Sequence, residues 1–523
     1  MPDGALPPGI ELDRTLSLQQ AQEIASGHLR PDLSAEAWAR CERSHARLVR
    51  TIGERRHVYG LTTGFGPLAN RLVDTADGIE LQQNLIHHLA SGQGPDFDWR
   101  TARAIVLARL MSILQGYSGA SNRSISTLLA VLRSPLAPAI PSRGTVGASG
   151  DLTPLAHMAL CLQGRGAFFD RAGKRWDGPE AWAQLGVPPL DLADRDGLAL
   201  VNGTSAMTGV ALCNSGLAWE LVKWAIALTA AMSETMGGRL EAWNATFAAI
   251  RPHPGQIATT EGLLARVAGS GRLKTAPLAG RCLGADEIVI EELIGQDAYT
   301  LRCAPQVIGA VWDAADWHDR IVATELTSVT DNPVFPDDTD IPALHGGNFM
   351  GQHVGLASDA LANAVTVLAG LAERQVARLT DERLNNGLPA FLHKGRPGLN
   401  SGFMGAQVTA TAILAELRTR GAASAQSLST NGANQDVVSM GTIGARLAND
   451  ALLRTSEIMA ILALCVAQAV DIVEERGETG FSRSARAIRD VVRQRSAPLD
   501  RDRPLGEEIA DMARAMQVTP PPP

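Results

Sequence analysis

Four long runs with helical composition and spacing constrain the fold of this chain more than any other feature. They are Ser205 to Met236, His353 to Leu384, Met404 to Thr419 and Asp436 to Glu475. Helices longer than about 25 residues need packing partners along their whole length, which a helical bundle provides. No internal repeat is found, and no heptad pattern is sustained long enough for a simple coiled coil. The sequence therefore predicts a mainly α fold with a long-helix bundle as its core.

The chain before these runs is organised differently. Shorter helices are predicted at Ala35 to Glu54 and Asp98 to Gln115, and glycine-containing loops separate them. A chain of 523 residues is too long for one simple core. We therefore predict a loop-rich N-terminal region over residues 1–200 and a central bundle with C-terminal helices over residues 201–523. The proline-rich tail, residues 519–523, is predicted to be disordered.

Composition and charge argue against several classes of function. The chain is 45% hydrophobic and 20% charged, the balance of a soluble globular protein. A net charge of -8 gives no basic surface for nucleic acid. The longest apolar run, Ile458 to Ala467, is too short to span a bilayer and is predicted to be a buried core helix. Six cysteines without Cys-x-x-Cys spacing predict neither a zinc site nor a disulfide framework, and a reducing cytoplasm fits best.

A glycine-rich stretch in the N-terminal region permits unusual chemistry. Gly144, Gly147 and Gly150 allow backbone angles that are closed to other residues, and Ser149 lies between the small residues Ala148 and Gly150. The amide nitrogen of Gly150 can attack the carbonyl carbon of Ala148 and close a five-membered ring. Loss of water from the ring and of the Ser149 hydroxyl leaves an exocyclic methylene conjugated to two carbonyl groups. The product is a strong electrophile that no ordinary side chain provides.

The surroundings of this tripeptide matter, because Ala-Ser-Gly occurs three times. The copies at Ala25–Gly27 and Ala90–Gly92 are interpreted as helix ends or turns. Only the third copy has glycines upstream and Asp-Leu-Thr-Pro downstream, and Pro154 suits the first turn of a helix. The loop is therefore predicted at a helix N-terminus, where the dipole favours developing negative charge. Asp151 either assists the cyclisation or caps this helix.

Residues 144–157 resemble the prosthetic-group motif of the histidine, phenylalanine and tyrosine ammonia-lyase family. Further stretches resemble motifs of the same family in the same chain order: Tyr59–Gly66, Asn202–Thr204, Gln296–Arg302, Thr327–Pro333, Gly346–Phe349 and Asn431–Asp436. The resemblance extends from about Leu18 to Leu505. It implies a mainly helical homotetramer built around a central bundle, in which each active site is shared by three subunits.

The resemblance also implies a cofactor that the chain makes from itself. In the family, the residues that match Ala148, Ser149 and Gly150 form 4-methylidene-imidazole-5-one (MIO). No metal and no diffusible cofactor is then required. His345 and His353 are spaced too loosely for a helical metal pair, and no acidic partner lies at ligand spacing.

Several other residues acquire roles by resemblance, and each also has a purely structural interpretation. Tyr59 would be the base that removes a β-proton, or else an anchor for its loop. Arg302 would grip the substrate carboxylate, or else form a structural ion pair. Tyr299 and Asn202 would orient the prosthetic group and assist proton transfer, with support from Gln296. The remaining substrate contacts would be Gly66, Leu89, Leu152, Met404, Asn431, Asn434 and Gln435.

The choice of substrate depends mainly on His88 and Leu89. Family members acting on phenylalanine typically have Phe-Leu here, those acting on histidine have Ser-His, and the pair His-Leu resembles those acting on tyrosine. A buried phenol needs a hydrogen-bond partner, which an imidazole supplies. His87 is expected to point elsewhere because of helical geometry. Residues 434–437 read Asn-Gln-Asp-Val, so the Glu of the Asn-Gln-Glu-Asp found in histidine lyases is missing.

The resemblance thus implies elimination of ammonia from L-tyrosine to give trans-p-coumarate, with weaker conversion of L-phenylalanine to cinnamate. A phenylalanine or histidine ammonia-lyase is one alternative. An MIO-dependent tyrosine aminomutase, which returns the ammonia to the β-carbon, is another, and sequence motifs separate it poorly from a lyase. A non-enzymatic helical scaffold is a third alternative, against which the intact Tyr59, Ser149 and Arg302 argue. Neither nucleic acid nor membrane is an expected partner.

Overall fold

The structure of the protein is a computed structural model that describes residues 7–280, 295–337 and 339–523. Its internal contacts divide the chain into two compact units. The first unit comprises the chain up to Gly216 together with His318–Asp359 and Ala422–Asn449. The second comprises Leu217–Trp317, Ala360–Gly421 and Asp450–Pro523. The predicted division at residue 200 follows chain order, whereas each of these units collects three separate segments.

Helices form most of both units. The helices that lie wholly in the first unit are Leu18–Ala25, Ala35–Gly53, Gly78–Leu89, Trp99–Leu114, Asn122–Arg133, Leu152–Leu162, Gly178–Leu185 and Asp196–Val201. Those wholly in the second unit are Ala245–Ile250, Pro254–Arg266, Tyr299–Arg302, Met404–Leu417, Arg483–Arg493 and Gly506–Val518. The long helices that contribute residues to each unit are Ser205–Thr235, Ala304–Leu326, Gln352–Thr380 and Gly441–Glu475.

Strands are short and, in the described chain, belong to the first unit. The parallel pair is Gly9–Leu12 with Arg30–Leu33. The antiparallel pairings are Gln93–Asp96 with Pro141–Arg143, Ala137–Pro138 with Phe168–Phe169, and Phe168–Phe169 with Arg175–Trp176. The predicted mainly α fold is therefore confirmed.

The four predicted long helices are present, with differences at their ends. The clearest difference is the helix predicted from Asp436, which begins at Gly441. Met440, just before it, has a φ of +54° and donates its backbone N–H to the carbonyl of Val146 at 2.9 Å. This contact with a distant loop delays the start of the helix. The sequence does not predict helix Ala304–Leu326, because polar and acidic residues such as those at 313–320 interrupt its apolar pattern.

Each unit has its own hydrophobic core. The core of the first unit surrounds Trp99–Leu114, whose residues 101–114 are all buried. The core of the second unit includes the apolar run that ends the Gly441–Glu475 helix. Gln352–Thr380 and Gly441–Glu475 are long and apolar enough to cross a membrane, but 56% and 89% of their apolar windows are buried inside the protein. The prediction that Ile458–Ala467 is a buried core helix is confirmed.

The C-terminal tail is ordered against the second unit, so the prediction of disorder is wrong. The carbonyl of Thr519 accepts a hydrogen bond from Nε1 of Trp224 at 2.8 Å. The carbonyl of Pro522 accepts one from Nη1 of Arg266 at 2.7 Å. Proline lacks a backbone N–H but keeps its carbonyl, and these acceptors hold the tail in place.

The cysteines that the structure describes are free thiols, and most of them are buried. Burial raises the pKa of Cys41 to about 11 and that of Cys161 to about 12. These thiols therefore stay protonated and unreactive near neutral pH. Cys282 lies outside the described residues.

Candidate active site

The glycine-rich loop is fixed in the first unit by contacts with two other segments. Gly147 and Gly150 have φ values of +72° and +70°, in the left-handed region. A Cβ on Gly150 would lie 2.2 Å from the carbonyl oxygen of Gly203, so only glycine fits there. Asp151 donates its N–H to the same carbonyl at 2.7 Å, and Oγ of Ser439 donates to the carbonyl of Gly147 at 3.1 Å. The loop is held between residues 203 and 439.

Asp151 is a buried carboxyl group directly behind this loop. It precedes helix Leu152–Leu162, as predicted, but its side chain makes no capping bond to that helix. Instead, Oδ2 accepts the backbone N–H of Met207 at 2.7 Å, and Oδ1 accepts the hydroxyl of Thr442. Burial raises the pKa of Asp151 to about 7, and these hydrogen bonds only partly offset the effect. A carboxyl group with a pKa near neutrality can exchange a proton beside Gly150.

Ser149 faces the loop that carries the fourth predicted motif. Nε2 of Gln435 donates a hydrogen bond to Oγ of Ser149 at 2.9 Å. The chain around Asn431 and Gly432 turns sharply, with φ values of +54° and +63°. A Cβ on Gly66 would lie 2.8 Å from Nδ2 of Asn431. The motifs at residues 59–66 and 431–436 are therefore in close contact beside the serine.

Tyr59 is held at both ends. Its hydroxyl accepts the backbone N–H of Gly66 at 2.9 Å. Its own backbone N–H donates to Nε2 of His345 at 3.1 Å. The ring packs edge to face against Phe65, with ring centroids 6.0 Å apart. The phenol is thus positioned within a loop that has little regular secondary structure.

Asn202 lies at the wall of the site with its amide nitrogen engaged. Nδ2 is 3.2 Å from Oδ1 of Asp331 and 2.7 Å from the carbonyl oxygen of Asn332. Asp331 forms a fully buried bidentate pair with Arg195, with both N–O distances at 2.8 Å. Such a pair is stable in the interior only when both charges remain paired. Asn202 therefore rests on a rigid support, and within the described part of the chain its Oδ1 accepts no hydrogen bond.

His88 presents an acceptor nitrogen to the same region. Its Nδ1 lies 2.9 Å from the carbonyl oxygen of Asn84, so Nδ1 carries the proton of this hydrogen bond. In the neutral ring, Nε2 then has a free lone pair. Nε2 of His87 instead lies 2.8 Å from Nε2 of Gln83 and 2.7 Å from Nη1 of Arg165. His87 does not line the site, as helical geometry predicts.

These side chains surround one pocket of 780 Å³ in the first unit. The predicted site residues that line it are Tyr59, Gly66, His88, Leu89, Ala148, Ser149, Gly150, Leu152, Asn202, Asn431, Asn434 and Gln435. Sequence reasoning omitted other lining residues, among them Phe65, Asn84, Asn332 and Phe349. A signal for three of them existed, because Phe65, Asn332 and Phe349 each lie in a segment that resembles the family.

The other predicted site residues belong to the second unit. These are Gln296, Tyr299, Arg302 and Met404. Gln296 and Arg302 line a second pocket of 280 Å³ there. The pocket of the first unit does not include them among the residues that the structure describes.

The helix Tyr299–Arg302 is secured through its backbone. Trp243 and Gln375 each donate a side-chain N–H to a carbonyl within it, both at 3.0 Å. The Tyr299 side chain is 70% exposed, and the guanidinium carbon of Arg302 lies 4.6 Å from the centre of its ring. This unit therefore holds the helix firmly and leaves the tyrosine open to solvent.

Comparison with known proteins identifies the family. Residues 16–494 match the family described as aromatic amino acid lyase. The chain belongs to this family. It is 61% identical to the tyrosine ammonia-lyase of Cereibacter sphaeroides over 97% of each chain. It is 39% identical to the MIO-dependent tyrosine 2,3-aminomutase of Streptomyces globisporus, over 96% of this chain and 93% of the relative.

A solved structure supports the same assignment. The crystal structure of the tyrosine aminomutase from Streptomyces globisporus matches with a TM-score of 0.91 and 38% identity. The match covers 98% of this chain and 97% of the other. The predicted ammonia-lyase family and the fold class implied by it are therefore confirmed.

Proposed function

We propose that this chain is a tyrosine ammonia-lyase, which converts L-tyrosine to trans-p-coumarate and ammonia and acts more weakly on L-phenylalanine. One observation carries the proposal. His88 presents an acceptor nitrogen in the pocket that also contains Ser149 and Tyr59. The 61% identity to a tyrosine ammonia-lyase supports it independently.

The choice of tyrosine follows from hydrogen bonding in a largely apolar part of the pocket. Leu85, Leu89 and Leu152 line it near His88 and suit an aromatic ring. The hydroxyl of a tyrosine substrate can donate to Nε2 of His88, whose tautomer is set by the Asn84 carbonyl. A phenylalanine ring would leave this nitrogen without a partner when water is excluded. Phenylalanine is therefore expected to react more slowly.

We also propose that Ala148, Ser149 and Gly150 form MIO, because the residues fit its formation. Gly150 has no room for a Cβ, and its N–H has no hydrogen-bond partner within the described chain. Its nitrogen would bond to the carbonyl carbon of Ala148. One water leaves from that carbon, and a second takes the hydroxyl of Ser149. Asp151 lies next in the chain as a buried proton acceptor.

The cofactor, once formed, supplies an electrophile that captures the substrate amine and makes it a better leaving group. The protein's own side chains direct the rest. Tyr59, in its phenolate form, takes the β-proton on its phenol oxygen, and the Gly66 N–H stabilises the negative charge on that oxygen before the transfer. The Cβ–H and Cα–N bonds break, a carbon–carbon double bond forms, and ammonia is released. Asn202 is held where its Oδ1 can assist proton transfer.

Tyr299, Arg302 and Met404 are proposed to join the site from other copies of the chain in a homotetramer. The exposure of Tyr299 and Met404 supports this role, because each presents a large side chain outside its own unit's core. Arg302 would bind the substrate carboxylate through two parallel hydrogen bonds. A cytoplasmic location is proposed as well, supported by the free thiols.

The test is to incubate the purified protein separately with L-tyrosine, L-phenylalanine and L-histidine and to follow ultraviolet absorbance. We expect rapid formation of p-coumarate, slower formation of cinnamate and no urocanate. Faster cinnamate than p-coumarate would show that His88 does not select the phenol. Failure of all three reactions would contradict the proposed function.

A tyrosine aminomutase is the second candidate, favoured by the match to the Streptomyces globisporus enzyme and its structure. Both reactions start with the same elimination, so the same residues serve both. Chromatography of the tyrosine reaction separates them. Accumulation of β-tyrosine with little p-coumarate would assign the mutase, whereas p-coumarate with stoichiometric ammonia would assign the lyase.

A further inference from the structure

We propose that His345 is a positioning residue for the reaction, which holds the base Tyr59 in register with Asn202 through a hydrogen bond to the Tyr59 backbone. The inference rests on the proposed function, since it assumes that Tyr59 is the base. His345 touches no reacting atom in this scheme. Its effect is transmitted through the loop that carries the phenol.

A continuous set of hydrogen bonds connects the two residues. The N–H of Tyr59 donates to Nε2 of His345 at 3.1 Å. The next residue, Gly346, donates its N–H to Oδ1 of Asn332 at 2.7 Å. The carbonyl of Asn332 in turn accepts Nδ2 of Asn202 at 2.7 Å. Asn332, His345 and Gly346 therefore link the base loop to the support of Asn202.

Asn332 is itself well anchored. Its carbonyl accepts a second hydrogen bond, from Nη2 of Arg195 at 2.8 Å. Arg195 is fully buried and paired with Asp331. The link thus ends on a rigid ion pair, so the hydrogen bond at its other end can fix the position of the Tyr59 backbone.

The peptide after Tyr59 is fixed by other side chains, because the N–H of Gly60 donates to Oγ1 of Thr63 at 3.1 Å and its carbonyl accepts Nε2 of Gln82 at 2.8 Å. The N–H of Tyr59 itself has His345 as its acceptor. Gly60 has a φ of +69°, and a Cβ there would lie 2.6 Å from the ring of Phe65.

The ring of Tyr59 packs against Phe65, and its hydroxyl accepts the N–H of Gly66. Without His345, the N–H of Tyr59 loses its protein acceptor, and the phenol can shift relative to Asn202. A displacement of about 1 Å at a reacting group can cost on the order of 10²-fold in rate.

The bond requires a neutral imidazole, because Nε2 must supply a lone pair to a backbone N–H. Burial lowers the pKa of His345, and the nearby His57 and Arg195 lower it further. The Arg195 charge is balanced by Asp331. His345 is therefore neutral at neutral pH and would lose its acceptor only when protonated below its ordinary range. Protonation should remove the acceptor of the Tyr59 N–H.

The experiment compares His345→Leu, which removes the acceptor, with His345→Gln, which restores an acceptor oxygen. His28→Leu is the control, since His28 is an exposed histidine of the same unit whose partner is Glu23. The wild-type rate of p-coumarate formation is measured first, so that failure of the proposed function is recognised separately. Intact mass, as loss of two water molecules, reports prosthetic-group formation in every variant.

We expect His345→Leu to lower kcat on the order of 10²-fold with little change in KM and with the full loss of two waters. His345→Gln should recover most of kcat. The ratio of the Gln variant's kcat to that of wild type should rise as pH is lowered, because glutamine does not titrate. β-Dideuterated L-tyrosine should give a larger isotope effect on kcat in the Leu variant than in wild type, since proton removal then limits the rate.

Other results would overturn the proposal. Equal loss of kcat in the Leu and Gln variants would mean that His345 acts through the packing of its ring and not as a hydrogen-bond acceptor. An effect confined to KM would assign it to substrate binding, and a Leu variant as active as His28→Leu would remove it from the reaction. A Gln-to-wild-type ratio that stays constant with pH would mean that protonation of His345 does not control the base.

Discussion

The loop around Ser149 and the short helix Tyr299–Arg302 contribute to the same proposed site in opposite ways. The first is enclosed, because residues 203 and 439 clamp it and a buried Asp151 backs it. The second is fixed through its backbone, while Tyr299 is 70% exposed. Under the proposed function, the first unit supplies an enclosed set of residues and the second supplies an exposed set.

The two regions differ because ring closure and substrate binding have different chemical requirements. Ring closure needs strained backbone angles and a nearby proton acceptor, which one unit can build from its own segments. Binding an amino acid's carboxylate needs an accessible cation, and an arginine stacked on an exposed tyrosine remains accessible. Under the proposed function, the enclosed residues would form the electrophile and the exposed residues would bind the substrate.

The largest expected effect tests the enclosed set of residues. Ser149→Ala should abolish the loss of two waters and lower activity on tyrosine on the order of 10³-fold or more, because no methylene can form. Intact mass and p-coumarate formation are the measurements. Ser26→Ala, in another Ala-Ser-Gly copy, is the matched control and should leave both unchanged. If the Ser149→Ala variant kept normal activity without losing two waters, the loop would have no role in catalysis.

The exposed set of residues should give the next largest effect. Arg302→Ala should reduce kcat/KM for tyrosine on the order of 10²-fold, since a charge-assisted hydrogen bond to the carboxylate is lost. The Arg302→Ala variant should still lose two waters at residues 148–150, as the wild type does. Arg383→Ala, which affects an exposed arginine paired with Asp381, serves as control. If kcat/KM of the Arg302→Ala variant equals that of the Arg383→Ala variant, Arg302 does not bind the substrate carboxylate.

Substitution of His88 should change selectivity more than overall activity. His88→Phe is expected to lower kcat/KM for tyrosine by about 10-fold to 100-fold and to raise it for phenylalanine, because the phenol loses its acceptor and the pocket becomes apolar. Parallel assays with both amino acids measure the ratio. His87→Phe should preserve the wild-type ratio of kcat/KM for tyrosine to that for phenylalanine. An equal change of this ratio in both variants would show that His88 does not act as the acceptor for the phenol.

The smallest effect concerns stability. The raised pKa of Asp151, about 7 in the folded chain, means that folding favours its protonated form. The stability that the protonated Asp151 contributes to the folded chain is complete below pH 3.8, the pKa of this group in the unfolded chain. It is lost as the pH rises towards the folded pKa of about 7. Asp151→Asn stays neutral, so its Tm relative to wild type should rise between pH 4 and pH 8, on the order of 2 °C. Parallel Tm curves would show that this carboxyl group does not titrate on folding.

Much of the fold and of the enclosed site can be predicted from the sequence, for identifiable reasons. Long helices with apolar faces, such as Ser205–Thr235, are predicted because local periodicity determines them. The Ser149 loop is predicted because its glycines and Pro154 are local signals. His88 is correctly distinguished from His87 because their faces on one helix differ.

What the sequence does not predict depends on distant contacts. The Asp151 carboxyl group bonds to Thr442, which lies 291 residues away, and no local pattern reveals that partner. Asn332 lines the pocket because Arg195 and Asn202 fix its carbonyl. The division of site residues between two units likewise arises from tertiary contacts and not from chain order.

The clamp on the Ser149 loop has a consequence for how the protein is made. Its parts come from residues near 150, 203 and 440, so the geometry for ring closure exists only after these distant segments have come together. Under the proposed chemistry the reaction is irreversible, because water leaves and the new ring is covalent. A polypeptide that contains the ring must therefore have folded at least once. Because the ring is covalent, it would persist after the chain is denatured.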